Sequence, residues 1–486
     1  MADLVAESEA RQPIAVQVDQ RTIDYRFPLD AFAALREYFG PDKVFLLESL
    51  SGPQSDAKTA VVGFGPILSV EIYENFARIG GEPGVVSHIK SASKRSGYIF
   101  SNDEVPLRRA GDVWRLLRLI QSEFLVTGAV LPDGFRFGYF GYFGYDTIRF
   151  IERIPRLIPA TTNRPEILLS IFRGLITFDL VDQTAQFITA RSTLWSPTEV
   201  GAVEPVLDQT KKHHPPDRVP AVPRPHEVHD SSNPEEFCAG VVRALHHIGV
   251  GDIYQVQLGH EMTIQSAADP LDVYRRLRAR NPAPFVYFAP FGETTLVGAS
   301  PEVFVRVEQG HVTMRPLAGT IKRGKSDAED RAAAERLRTD PKEVAEHVML
   351  VDLCRNDVGR ICKPRTLRVT ELLTTGRYSH VLHLVSNVVG QLTDRDDVYD
   401  VIRSTFPAGT LTGAPKIRAV EIIESIERTR RGIYGGAVGL IDFGGFADLA
   451  ICIRTTVIDS AGFSYSRVSR HSCGLRPHKR VAGNAC

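Results

Sequence analysis

The chain has 486 residues, 43% hydrophobic and 24% charged, with Lys+Arg and Asp+Glu balanced at 58 each. That length suits two domains with sizeable cores, and the even charge gives no electrostatic footprint for nucleic acid or an anionic membrane. The opening MADLVAESEARQPI carries acids and no apolar run, so no signal peptide is expected, and no stretch reaches the roughly 18–20 apolar residues of a membrane helix. Cys238, Cys354, Cys362, Cys452, Cys473 and Cys486 show neither CxxC nor metal-type spacing, which points to reduced thiols in the cytoplasm.

In chain order, VFLLESLSG from Val44, TAVVGFGPILSVEIY from Thr59 and FRFGYFGYFGYDTIRF from Phe135 read as strands and tight turns, with a helix at DVWRLLRLIQSEFL from Asp112. Residues 211–237, rich in proline and charge without apolar periodicity, read as a linker between a domain at 1–210 and a second at 238–486. The second part alternates strand-like runs (TTLVGASPEVFVRVE, HVTMRPLAGT, AVGLIDFGGFADLAICIRTTVI) with amphipathic helices (KSDAEDRAAAERLR, DPKEVAEHVMLVDLCRND, APKIRAVEIIESIE). This mixture predicts an α+β fold of packed antiparallel sheets with flanking helices, not a parallel βαβ series.

Several constellations carry chemistry. Asp340-Pro341 suits a helix N-cap and first turn, with Glu343 at the capping-box position. Glu346 is superfluous to the cap; it reads either as a solvated face or as an oxygen ligand for a hard cation such as Mg²⁺. Between Arg403 and Glu424, Gly409, Thr410, Thr412 and Gly413 precede a helix opened by Ala414-Pro415-Lys416. Open N–H groups there favour a carboxylate, and a cap by Thr412 is the structural alternative. The GxxxxGK[ST] spacing is missing, which excludes a P-loop. Arg454 follows an apolar strand and reads as a bidentate carboxylate clamp or a plain edge arginine. Tyr434 follows Arg431-Gly432 at a turn, and His383 reads as a satisfied core histidine or an acid–base group.

The order and wording of these phrases resemble the chorismate-utilising enzymes, and anthranilate synthase component I in particular. GDIYQVQLG, VGASPE, RPLAGT, DPKEVAEHVMLVDLCRND, RYSHVLHLVSNV, FPAGTLTGAPK, RGIYGGAVG and AICIRT carry the resemblance from Gly251 to Val457; FLLES near Leu46 and GYFGYDTIRFIERIP from Gly141 extend it. The resemblance implies that Glu346, with Glu343 beside it, binds Mg²⁺. It implies that Glu302 helps the ring hydroxyl of chorismate leave and that His383 moves protons nearby. Thr410, Tyr434 and Arg454 would hold substrate carboxylates, with Gly413, Gly319 and Thr320 lining the cavity. Water-using relatives carry lysine at the position of Gln255, and aminodeoxychorismate-forming ones carry a nucleophilic lysine at the position of Ala318. Glutamine cannot act as the general base and alanine offers no nucleophile. Ammonia is therefore the expected nucleophile, with anthranilate the expected product and a member that stops at the amino intermediate, an aminodeoxychorismate or aminodeoxyisochorismate synthase, as the alternative. No GxCxG phrase is found, so the ammonia is expected from a separate glutamine amidotransferase subunit or from free ammonium. Leu47, Glu48 and Ser49, with Asn281 and Pro282, resemble the two halves of a tryptophan pocket. KTAVVGFG from Lys58 replaces the usual arginine-tyrosine-serine phrase, so weakened tryptophan control is expected.

The segment 464–486 departs from this pattern. The family continues with a glycine-rich strand and a helix carrying ExxE; SYSRVSRHSCGLRPHKRVAGNAC holds no acid that could complete a Mg²⁺ site, so low synthase activity is expected of the chain as written. From Ser469 onward, permitted codons can be chosen so that the frame one base later reads AGIVADSVPTNEWQETR. We expect the gene to carry such codons, the mark of a frameshift upstream of Ser469. Sequencing the locus checks this, and codons incompatible with the shifted reading would sink the idea.

Overall fold

Alternating and fully apolar strands fix the centre of the fold. A computed structural model describes residues 12–52, 58–101, 103–128, 134–160, 163–195, 200–208, 210, 219, 221–378 and 380–472. Its spine is the antiparallel pair Thr59–Ile72 and Ile167–Asp179, in register from Thr59↔Asp179 to Ile72↔Ile167. Two arms leave this spine. In one, Thr59–Ile72 pairs with Val44–Glu48, which pairs with Phe285–Phe291, then Thr294–Ser300, Thr455–Asp459, Gly462–Ser472 and Gln255–Gln265. In the other, Ile167–Asp179 pairs with Gly138–Phe143, then Ala437–Asp442, Ala447–Ile451, Val303–Glu308 and His311–Met314. The arms face each other across aromatic side chains, with Phe45 stacked on Phe140 at 3.8 Å and Phe140 on Phe291 at 5.5 Å. Gly138–Phe143 is buried at every position, as a strand packed on both faces should be. The fold is α+β, two antiparallel sheets with flanking helices, apart from the parallel pairing of Ile14–Ile23 with Phe124–Gly128.

Both sequence halves enter these arms: Val44–Glu48 pairs with Phe285–Phe291, and Gly138–Phe143 with Ala437–Asp442. Residues 211–218 and 220 of the expected linker lie outside the described residues. Its far end, however, is ordered secondary structure: Glu227–Asp230 pairs with Gln265–Met262, and a helix starts at Pro234. Backbone ladder bonds, which need no apolar pattern, hold this polar strand. HVTMRPLAGT is two strands in two sheets, His311–Met314 in the large one and Leu317–Lys322 in a small sheet with Val381–Val385 and Thr374–Arg377. Pro316 lies at the break and has no N–H for a continuous ladder. The helix read from Asp112 spans Gly111–Ser122 and gives way to a strand at Phe124. No described helix is long and apolar enough to cross a membrane.

Capping sets the helix that matters most for the site. Pro341–Gly359 starts at Asp340, whose carboxylate accepts from the N–H groups of Lys342 (2.9 Å) and Glu343 (3.2 Å). The expected N-cap by Thr412 is not made; its hydroxyl donates to Ala408 O at 3.1 Å, and Pro415 occupies the cap of Lys416–Ile426. Gly413-Ala414 instead forms a two-residue strand against Gln255-Val256, so Thr412 sits a strand away from the helix start.

Glu48 ties its strand electrostatically to the helix Pro270–Arg280. It is 2% exposed, accepts from the Tyr274 hydroxyl and receives Arg278 at 2.7 and 3.1 Å. Glu48→Ala would strand a guanidinium and a buried hydroxyl, so we expect a loss of roughly 3 kcal/mol, with Glu48→Gln losing less. Urea denaturation measures it, and an unchanged midpoint for Glu48→Ala would refute the anchoring role.

Candidate active site

Three loops and the small sheet converge at one place. Leu317–Lys322 carries a bulge between Ala318 and Thr320, paired with Leu384 and His383 of the next strand. Gly319 is the bulged residue, at φ +66, where a left-handed backbone favours glycine. A Cβ on Gly319 would lie 3.1 Å from the Glu343 carboxylate, so the missing side chain also lets the acid of the Pro341–Gly359 helix approach. The bulge aims the Gly319 carbonyl at His383 Nδ1, 2.9 Å away, with Thr320 Oγ1 at 3.0 Å. A carbonyl only accepts, so Nδ1 carries the proton and Nε2 keeps its lone pair. Burial pushes the imidazole pKa down, the Gly319 hydrogen bond opposes this, and Arg454 lowers it further.

Arg454 does not end the strand as expected. Ala447–Ile451 stops three residues earlier, and Arg454 sits exposed in the following turn at φ +50. A non-glycine residue there costs on the order of 1 kcal/mol or more, and it is held by Ala299 N, which donates to the Arg454 carbonyl at 3.1 Å. The next turn of that chain segment carries Glu302, 7% exposed, between the ends of Thr294–Ser300 and Val303–Glu308. Ile451 N donates to the Glu302 carbonyl at 3.0 Å, so the same strand end fixes both residues. Glu302 shares a narrow cleft with Gly409 and Thr410.

Thr410 lies in the short 3-10 turn Gly409–Leu411. Its hydroxyl is buried without a hydrogen-bond partner among the described residues, as are both amide atoms of Gln255, which is 0% exposed. Buried polar groups are nearly always paired, so these orphaned atoms stand out, together with the Tyr139, Tyr145 and Tyr399 hydroxyls of the core. Gln255 pairs with Ala414 on one side and Ser472 on the other. Gly413 must be glycine here, because a Cβ would meet Gln255 O at 2.0 Å. Tyr434 follows the Arg431–Gly432 turn as expected, its N–H donating to Arg431 O at 3.0 Å, and Gly435 N donates to Cys452 O at 2.9 Å. The turn thereby lies against the one carrying Arg454.

Glu346 is largely buried, one turn beyond Glu343, with Lys342 Nζ 4.0 Å away. Mg²⁺ typically takes one or two carboxylates and completes its octahedron with water and substrate oxygens, and these two acids fit that demand. Among the described residues no three His, Cys, Asp or Glu side chains form a complete cage. Gly462–Ser472 runs alongside Gln255–Gln265 from Ile264↔Phe463 to Gln255↔Ser472, so the divergent segment enters the sheet as a strand before the described residues end.

Leu47, Glu48, Ser49, Asn281 and Pro282 come together at a different place. Leu50 N and Ser51 N both donate to Ala283 O, and Ser51 Oγ donates to Pro282 O at 2.6 Å. The Glu48 carboxylate is engaged by Tyr274 and Arg278. Two clamps escaped sequence reasoning. Arg431, nearly fully buried, donates to Leu411 O (2.7 Å), Gln257 O (2.8 Å) and Glu427. Lys416 Nζ bridges Asp357 (2.6 Å) and Thr405 O (2.8 Å). An arginine beside a glycine turn and a lysine at a helix start were the available signals.

The chorismate binding enzyme family model matches residues 84–468, ending just before Ser469. The 2-amino-4-deoxychorismate synthase of Streptomyces globisporus is 47% identical over 445 residues, 91% of this chain and 89% of that protein. Anthranilate synthase component 1 of Acinetobacter calcoaceticus is 38% identical over 466 residues, covering 90% and 86%. The crystal structure of anthranilate synthase component I from Streptococcus pneumoniae aligns with a TM-score of 0.71 at 27% identity, over 88% of this chain and 90% of that one. The menaquinone-specific isochorismate synthase of Escherichia coli shares the fold, with a TM-score of 0.67 at 15% identity over 99% and 95%.

If His383 takes up a proton in turnover, its lowered pKa keeps Nε2 free to below the ordinary 6.5, and activity falls only as pH drops through the folded value. A pH–rate profile should place the acid limb below 6.5, and His383→Asn should remove that limb. An acid limb above 6.5, or one that survives in the variant, would exclude the histidine as its source.

Proposed function

The chain belongs to the family of chorismate-binding enzymes, and we propose that it aminates chorismate with ammonia, giving 2-amino-2-deoxyisochorismate and then, by loss of pyruvate, anthranilate. The observation that carries this reading is the buried, unpartnered Gln255 amide beside Gly413-Ala414. An amide can hold a neutral nucleophile by hydrogen bonds but cannot deprotonate water at neutral pH. Ala318, 4% exposed on the adjoining small sheet, offers no nucleophile of its own.

Chorismate is a dianion that must lose a hydroxyl. Arg454 and the Thr410 hydroxyl supply donors to its carboxylates, which orient the ring. Glu302, in the cleft with Thr410, gives its proton to the departing oxygen. His383, neutral with Nε2 free, accepts the proton released as the amine forms or as pyruvate leaves. Bound Mg²⁺ would be held by Glu343 and Glu346, offsetting carboxylate charge and polarising the leaving group. A separate glutamine amidotransferase subunit would supply ammonia, in the cytoplasm, for tryptophan formation or a secondary pathway.

A second reading stops at an aminated chorismate, and the printed activity of the Streptomyces globisporus relative favours it. Incubating the purified chain with chorismate, Mg²⁺ and ammonium, and following anthranilate fluorescence and pyruvate release, separates the two. Anthranilate with stoichiometric pyruvate supports the first, and an aminated product without pyruvate the second. Intact chorismate would reject both for this chain and leave a catalytically impaired homologue, the outcome anticipated from its acid-free C-terminal segment.

A further inference from the structure

A groove of about 670 Å³ runs between the helix Gly111–Ser122 and the segment that follows the helix Pro83–Arg95. None of the residues gathered at the candidate active site lines it. Four arginines do, Arg108, Arg109, Arg115 and Arg118, against a single carboxylate, Asp112.

That one acid is already spent. Asp112 is 8% exposed and accepts from the backbone N–H groups of Arg108 and Arg109, each at 2.9 Å, and from the Arg115 guanidinium. Arg118 holds Asp397 at 2.6 and 2.8 Å and Asp400 at 2.8 Å. The acids nearest in sequence are taken as well, Glu104 by Arg78, Asp103 by Lys90 and Glu123 by His88. Arg108 and Arg109 are both exposed and make no ion pair among the described residues. Asp112 thus fixes the backbone of these two residues and leaves their guanidinium donors unused. With Arg118 balanced by its two aspartates, Arg108, Arg109 and Arg115 against Asp112 leave two positive charges unanswered.

Size selects the kind of ligand. Twelve residues border the groove, whereas a specific protein interface takes roughly 20–30 residues a side. Its volume falls instead among small-molecule pockets, roughly 300–1,000 Å³. Guanidinium forks match phosphate oxygens bidentately, and their hydration is weak enough to be shed on binding. Two neighbouring forks suit two linked phosphates, where a lone carboxylate is satisfied by one. Tyr98, half-buried, and Ile99, 67% exposed, also border the groove and offer apolar surface to an organic group carried by those phosphates.

We propose that this groove binds a small organic diphosphate, its phosphates held by Arg108 and Arg109 with Arg115 beside them. The site stands apart from the chemistry proposed above and does not depend on it.

Inorganic pyrophosphate is the probe. Isothermal titration of the full chain in Mg²⁺-free buffer should show saturable binding, and soaked crystals should place the anion between Arg108 and Arg109. Arg108→Gln and Arg109→Gln should each weaken binding roughly tenfold. Both side chains are exposed and unpaired, so the urea midpoints of the variants should stay at the wild-type value. A wild-type chain that binds no pyrophosphate, or two folded variants that bind it as well as the wild type does, overturns the site. Citrate binding more tightly than pyrophosphate assigns the arginines to carboxylates and overturns the diphosphate class.

Discussion

The buried Arg431 guanidinium is the constraint on which the site depends. Placing a full charge where water is excluded costs several kcal/mol unless every donor is met. Here Glu427 supplies the counter-charge, Leu411 and Gln257 supply carbonyls, and the Tyr145 ring lies 4.6 Å from the guanidinium carbon. Glu427 in turn accepts from Gly259 N at 2.7 Å. One side chain thereby fixes the turn bearing Thr410, the strand bearing Gln255 and the helix end before Tyr434. None of those three segments is next to another in sequence.

Around this clamp the molecule keeps features that cost stability. Arg454 holds a left-handed backbone, and Gln255 and Thr410 leave buried polar atoms without protein partners. Each disfavours the free protein by on the order of 1–3 kcal/mol. The packed aromatic side chains between the sheet arms offset them. Burial in the same interior also pushes the His383 imidazole pKa down and so favours its neutral form.

The anchoring of Glu48 shows how a motif and its structural use diverge. LLES reads as half of a regulatory pocket, yet its acid is spent on Tyr274 and Arg278, joining Val44–Glu48 to the helix before Asn281. The cavity beside Ser49 is lined by Thr59, Arg306, Glu308, Arg315, Asn387 and Asp448 as well as by apolar side chains.

The sequence by itself determined the fold class, the family, and the local devices: the Asp340 cap, the Arg431–Tyr434 turn and the ammonia-compatible pair Gln255 and Ala318. These depend on periodicity, hydrogen-bonding reach within a few residues and side-chain chemistry, all of which are local. Tertiary structure decided the rest. The Gly319 bulge that brings Glu343 near His383, the displacement of Thr412 from its expected cap and the ordered end of the supposed linker all arise between segments distant in the chain. Such features depend on strand register and on which charges are buried together, and neither is written in any one stretch of residues.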